Sequence, residues 1–188
     1  MSITPAIELK LYDHTQGPRK IGPKDGKFVK LMSVGVRFMA WGEETGGGFS
    51  LVEHPIAPNT LAAPVHIHER EDEYSYVLEG RMGALLGDKV VYANEGDFVF
   101  KPRNQWHTFW NAGDTPCRIL ELISPAGFEV YFQELVALGG SGKAPPEALA
   151  TLADRYGLEV QAGSIPQLIE RFGLRKGEPL PGGWTAAM

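Results

Sequence analysis

The sequence predicts an all-β core, a sandwich or barrel of short strands, with an N-terminal arm before it and a small C-terminal helical appendage after it. Three observations lead there. From Phe28 to Ser124 short runs of β-branched and aromatic residues alternate with turn residues. After Ser124-Pro125 the apolar spacing changes to that of amphipathic helices. The 188 residues suffice for one full hydrophobic core but not for two complete enzyme domains.

Residues 1–27 mix Pro, Gly and Lys with short apolar stretches (Ile7, Leu9, Leu11) and read as an arm laid across another surface. The core, 28–124, divides into strands expected at Phe28 to Ser33, Val36 to Trp41, Phe49 to Ile56, Val65 to His68, Tyr74 to Leu78, Met82 to Leu86, Val90 to Tyr92, Phe98 to Lys101, His107 to Trp110 and Arg118 to Ile123. Gly87-Asp88 suits a tight hairpin, Glu95-Gly96-Asp97 a turn and Gly46-Gly47-Gly48 a bend. In the appendage, 125–176, the first helix carries Phe128, Tyr131, Phe132, Leu135, Val136 and Leu138 and stops at Gly139-Gly140. The second starts at Pro145-Pro146 and ends at Gly157. The third is signalled by Ser164-x-x-Gln167, the pattern of a capping box, and ends before Gly173. Residues 177–188 are Pro/Gly-rich and read as an extended tail.

Composition excludes several classes. Apolar and charged fractions of 43% and 22% are those of ordinary globular proteins. With a net charge of −5 and no dense basic block, nothing neutralises phosphates, so nucleic acid is not an expected partner. No apolar run approaches a membrane span and no leader pattern opens the chain, so the cytoplasm is the expected compartment. The single cysteine, Cys117, lies in an apolar run and reads as a buried thiol.

The chemistry concentrates in four residues. His66 and His68 are two apart in a strand-like run, so both imidazoles leave the same face. Glu69 to Asp72 form a polar loop, expected to be solvated, after which a hairpin would bring Glu73 back beside the histidines. His107 opens another strand 34 positions beyond Glu73. Three imidazoles and one carboxylate around a point suit one divalent transition metal (Fe, Mn, Ni, Co, Cu or Zn) and leave positions open for water, oxygen or substrate. A lone histidine at a strand end would mean little, and the joint pattern carries the reading. His14, in the arm, and His54, read as a strand-end residue, are not needed by it.

These residues resemble the two sequence motifs of the cupin family. His66-x-His68, Glu73 and Gly80 match the spacing of the first; Gly96, Pro102, His107 and Asn111 match the second. Two positions depart from the family pattern: Thr60 stands where the first motif opens with Gly, a turn that Asn59 could build instead, and Asn104 stands where the second has Gly. Asn is the residue after Gly that best tolerates the left-handed region, so it can make the same bend. The resemblance implies a six- to eight-stranded antiparallel jelly-roll β-barrel with the metal in its mouth and, as a prior, a homodimer. The chain also resembles quercetinase-like single-barrel cupins, a resemblance extending to the Phe128-x-x-Tyr131-Phe132-x-x-Leu135 helix, which implies a dioxygenase acting on a flavonol-like, enolic or phenolic small molecule with Glu73 as ligand and base. Alternatives are a metal-dependent isomerase or decarboxylase, or a non-catalytic small-molecule-binding cupin. Phe109, Ser75 and Val77 are expected on the ligand-bearing faces, and Phe38, Trp41, Phe49, Phe100, Trp106 and Trp110 offer further aromatic surface. Arg37, Arg81 and Arg103, the basic residues near the strands, are too scattered to recognise a sugar nucleotide.

Overall fold

The period-two patterns of the sequence become strands because alternate residues face an interior filled by Val34, Ile56, Val77, Met82, Ala84, Val99, Phe109 and Ile119. A computed structural model describes residues 19–31, 33–139 and 144–175. In chain order the elements are β1 (Phe28–Leu31), β2 (Val34–Ala40), a 3-10 turn (Gly42–Thr45), β3 (Ser50–Ile56), β4 (Val65–His68), β5 (Asp72–Glu79), β6 (Arg81–Leu86), β7 (Lys89–Asn94), β8 (Phe98–Lys101), β9 (His107–Asn111), β10 (Cys117–Ser124), α1 (Glu129–Ala137), α2 (Pro146–Arg155), β11 (Leu158–Gln161) and α3 (Ser164–Phe172). The ten strands expected from the sequence are present: six are one to three residues longer than expected, β4 and β8 are as expected, and β1 and β3 are shorter. The extended tail, His14 and the arm before Arg19 lie outside the described residues.

The strands form a six-stranded sheet, β1-β2-β3-β10-β5-β8, facing a five-stranded one, β11-β4-β9-β6-β7. All pairings between named strands are antiparallel. The jelly roll is thus two facing sheets and not one closed hydrogen-bonded barrel, because six of the seven links between β3 and β10, all but β6 to β7, cross from one sheet to the other. One consequence bears on the site. The β4–β5 link is one of these crossings and not a hairpin, so Glu73 meets His66 and His68 from the opposite wall.

The segment after Ser124 packs on the core at two places. Phe128, Ala153 and Leu158 join Val36, Phe38, Val52 and Ile123 in one apolar cluster, while Leu168 and Leu174 join Leu85 and Trp110 in another. Between α2 and α3 runs β11, a strand that the sequence pattern does not announce, since only Leu158 of Leu-Glu-Val-Gln is buried. It pairs with β4 in register Leu158 to His68 and Val160 to His66, so it braces the strand that carries both histidines. The expected capping box at α3 is not formed. Gly163 is the N-cap, and the Ser164 hydroxyl instead accepts the Val65 amide at 2.9 Å. In the described part of residues 1–27, the Gly22 carbonyl accepts from Arg37 Nη1 of β2 at 2.7 Å. Among the described residues no helix is long and apolar enough to cross a membrane.

Close approach at one glycine locks the second sheet to its outer helix. The Trp110 indole lies directly on Gly83 and stacks with Phe172 of α3 at 4.1 Å between ring centroids. A Cβ at Gly83 would overlap that indole. Gly83→Ala is therefore expected to lose about 1–3 kcal/mol in urea unfolding. Gly163→Ala, at a helical φ of −65° with open space around it, should change stability by no more than about 0.5–1 kcal/mol, and toward stabilisation. Equal losses at both positions would contradict this packing.

Candidate metal centre

His66 and His68 point inward from β4 because they are two residues apart on a strand, and both are buried. His107, the first residue of β9, stands directly across the ladder from His66, with ring centroids 4.3 Å apart. Glu73 comes from β5 on the facing sheet. Its Oε2 lies 3.1 Å from His107 Nε2 and its Oε1 3.6 Å from His68 Nε2. One ligand atom from each of the four residues falls within 4.8 Å of every other. The sequence-predicted set is brought together at one buried point.

The local hydrogen bonding prepares these groups as ligands. His66 Nδ1 lies 2.8 Å from the Pro64 carbonyl and His107 Nδ1 2.9 Å from that of Gln105. A carbonyl only accepts, so each Nδ1 carries the proton and each Nε2 keeps its lone pair for the centre. His68 differs, since its Nδ1 faces the Glu71 carboxylate at 3.5 Å. Both His68 ring nitrogens and Glu71 Oε2 are buried without a hydrogen-bond partner. An orphaned, inward-facing imidazole nitrogen beside two carbonyl-oriented imidazoles and a carboxylate fits a divalent transition metal. Burial, then the neighbouring His107 and His68, hold the His66 pKa well below its ordinary value, which keeps that ring neutral and able to coordinate.

The bends beside these strands match the two family departures. Asn59 and Asn104 are the non-glycine residues at positive φ among those described, 51° and 60°. The Asn104 amide donates to the His68 carbonyl at 2.7 Å, tying the β8–β9 bend to the ligand strand. Asn111, completely buried, donates through Nδ2 to the Ile56 and Thr115 carbonyls and accepts from the Gly113 amide.

Four polar residues around the centre were not assigned to it from sequence. Lys101 is fully buried, with Nζ 3.0 Å from Glu73 Oε2 and 3.0 Å from Glu121 Oε2. The Ser75 hydroxyl donates to the same Glu121 oxygen at 2.7 Å. Burial opposes the Lys101 charge, but Glu121 and Glu73 overcome it and raise its pKa. Burial pushes Glu73 up, yet Lys101, His68 and His107 together hold it well below the usual carboxylate range. Glu121, pushed by burial and only partly relieved by Lys101, reaches about 7. Glu71, expected in a solvated loop, is instead buried against His68, whereas its neighbour Asp72 is paired with Arg103. His54, expected at a strand end, lies within β3 and is buried, its Nδ1 2.9 Å from the Gly35 carbonyl. The signal for Lys101 and Glu121 is alternation alone: each shares the inward face of its strand with Val99 or with Ile119 and Ile123.

Phe109, expected on a ligand-bearing face, stands beside the centre and is joined there by Phe128, whereas Phe38, Trp41, Phe49, Phe100 and Trp110 lie elsewhere. The Phe128 ring, at the start of α1, stands edge-on to His68 at 4.3 Å, and the Phe109 ring lies 4.5 Å from Lys101 Nζ. Phe38 and Trp110 are core, Trp41 stacks on Phe38, and Phe49 and Phe100 face outward from the six-stranded sheet. Arg37 is buried with Glu53, Arg81 covers Tyr92 and Arg103 pairs with Asp72, so none is free for an anionic substrate. Cys117 is a buried free thiol, as expected, which burial pushes up to about 12.

Comparison with known proteins adds the following. The family model for the cupin domain matches residues 53–123, which contain all four candidate ligands. Quercetin 2,3-dioxygenase from Bacillus subtilis (strain 168) is 27% identical over 136 residues, 70% of this chain and 40% of that protein. The tetracenomycin polyketide synthase protein TcmJ from Streptomyces glaucescens is 32% identical over 60 residues, 32% of this chain and 40% of that one. The chain thus spans about 40% of the length of the curated relatives it matches. Among solved structures, KdgF from Halomonas sp. aligns at TM-score 0.49 and 17% identity, covering 55% of this chain and 90% of that one. A predicted oxalate decarboxylase from Thermotoga maritima aligns at TM-score 0.49 and 21% identity, covering 55% and 94%.

Two outcomes are expected. Apo-protein given a divalent metal at a hundredfold excess over its Kd should gain about 2.7 kcal/mol, a Tm rise of about 5–10 °C that chelation reverses. The His66→Ala/His68→Ala double variant should show no rise and no stoichiometric metal, and retained binding would refute the site. His54 gives a pH dependence. Burial lowers its pKa to about 4 against 6.5 when unfolded. As pH falls from 6.5 to 4 only the unfolded chain takes up this proton, so stability drops by about 1.4 kcal/mol per pH unit. His54→Asn should flatten that slope in urea titrations of the metal-loaded protein, and an unchanged slope would contradict a neutral buried His54.

Proposed function

From the premise that the chain belongs to the cupin superfamily, we propose that this metal-binding cupin is a dioxygenase acting on an enolic or phenolic small molecule. The metal ligands would be His66, His68, Glu73 and His107. The observation that carries the reading is the donor set itself, three imidazoles and one carboxylate converging at a buried point, which leaves coordination positions for substrate and oxygen. When bound, the ion supplies Lewis acidity that lowers the pKa of a hydroxyl placed against it.

The residues around that point fit such a substrate. Phe128 and Phe109 line the surroundings of His68 and Lys101 with buried aromatic side chains, an apolar setting that would suit a planar aromatic molecule. The similarity to quercetin 2,3-dioxygenase over most of this chain supports the same class of chemistry. In this reading Glu73 is also the base. Lys101, His68 and His107 keep it ionised, so it accepts a proton only from a hydroxyl already made acidic at the centre. Its selectivity for enols and phenols over aliphatic alcohols follows from that weakness.

Reconstituting the apo-protein with each candidate metal and following oxygen uptake against flavonols, diketones and catechols tests this. At least one pairing is expected to consume oxygen with substrate, and Glu73→Gln should slow it by about 100-fold or more. No uptake with any pairing contradicts the dioxygenase reading, and turnover without uptake moves the assignment to an isomerase or decarboxylase.

A further inference from the structure

We propose that Lys101 is a positioning residue that holds Glu73 as a single-oxygen metal ligand and so keeps a second coordination position open. The inference rests on the metal-centre reading above. Lys101 has no spare proton to offer a substrate. Its ammonium donates to Glu73 Oε2 and Glu121 Oε2, each at 3.0 Å, and lies 4.5 Å from the centroid of the Phe109 ring. Glu121 is itself anchored by Ser75 at 2.7 Å, so the lysine is fixed from behind. All these side chains are buried, in a setting where an ion pair with good geometry is not loosened by water.

The two oxygens of Glu73 are therefore unequal. Oε2 is taken by the ammonium and lies beside His107 Nε2 at 3.1 Å. Oε1 lies 3.6 Å from His68 Nε2, a nitrogen that is itself unpartnered. A carboxylate so held can give one oxygen to an ion and cannot readily chelate it with both. Three nitrogens and one oxygen leave two positions of an octahedron; three nitrogens and a chelating carboxylate leave one. Lys101 thereby sets whether substrate and a second small ligand can share the centre.

The test uses the full chain loaded with Co(II), whose visible bands weaken as coordination number rises. Lys101→Met is expected to lower the absorptivity per bound cobalt, as Glu73 turns to chelate, and, because a cation is removed from beside the site, to tighten Co(II) binding by about tenfold. Glu121→Gln disturbs the same cluster but leaves Lys101 on Glu73, and should keep the wild-type spectrum. A Lys101→Met protein with the wild-type spectrum overturns the proposal, as does one that binds cobalt more weakly with no spectral change, the signature of a merely structural lysine. Should Lys101→Met fail to fold, infrared spectra of the loaded wild type decide. The Glu73 carboxylate bands, assigned by their loss in Glu73→Gln, are expected at the wide splitting of a single-oxygen ligand. The narrow splitting of a chelate would refute the role. Wild type that takes up no cobalt overturns the metal centre itself, whereas a loaded wild type with unresponsive variants overturns only the part given to Lys101.

Discussion

A carboxylate enclosed between two β-sheets is the constraint around which this molecule is built. Glu73 projects from the six-stranded sheet into the buried space between the sheets, where an unpaired charge would cost several kcal/mol. The facing sheet answers with three imidazoles, and the same sheet answers with Lys101 on the neighbouring strand, in register with Glu73. Glu121 and Ser75 then settle the lysine. The polar wall is a chain of consequences from one buried charge, and each member is fixed by the one before it.

The rest of the fold holds the two walls at that separation. Six of the seven links between β3 and β10 shuttle the chain between sheets, so candidate ligands that lie near one another in sequence arrive from opposite sides. The histidine wall is braced where it is shortest. Strand β4 has four residues, and β11 lengthens its sheet on the outer side while the Asn104 bend is tied to the His68 carbonyl. Helix α1 brings Phe128 against His68 and Phe132 against His54, closing one flank with aromatic surface. A segment that looks peripheral in sequence is thus part of the site's wall.

What the sequence made legible and what it hid follow from physical signals of different strength. The four candidate ligands were readable because alternation places His66 and His68 on one face and the motif spacings point to Glu73 and His107. Asn59 and Asn104 were readable as left-handed bends because few residues tolerate that conformation. Lys101 was not. In Phe-Val-Phe-Lys the hydrophobic pattern points the two phenylalanines inward, yet Phe98 and Phe100 are exposed while Val99 and Lys101 are buried. Pairing with Glu73 across the ladder outweighs that pattern, and such a partner is invisible until strand neighbours are known. The same reason hid β11, whose ladder partner lies some ninety positions earlier, and Glu71, buried by contact with His68 and not by any local pattern.

The central claim is that one metal ion sits between the sheets on His66, His68, Glu73 and His107. Anomalous diffraction from crystals of the metal-loaded protein, recorded at the absorption edge of the ion, measures this most directly. The account predicts one strong peak between the two walls, within bonding distance of all four residues. A peak elsewhere, or none in protein that carries stoichiometric metal, would contradict it.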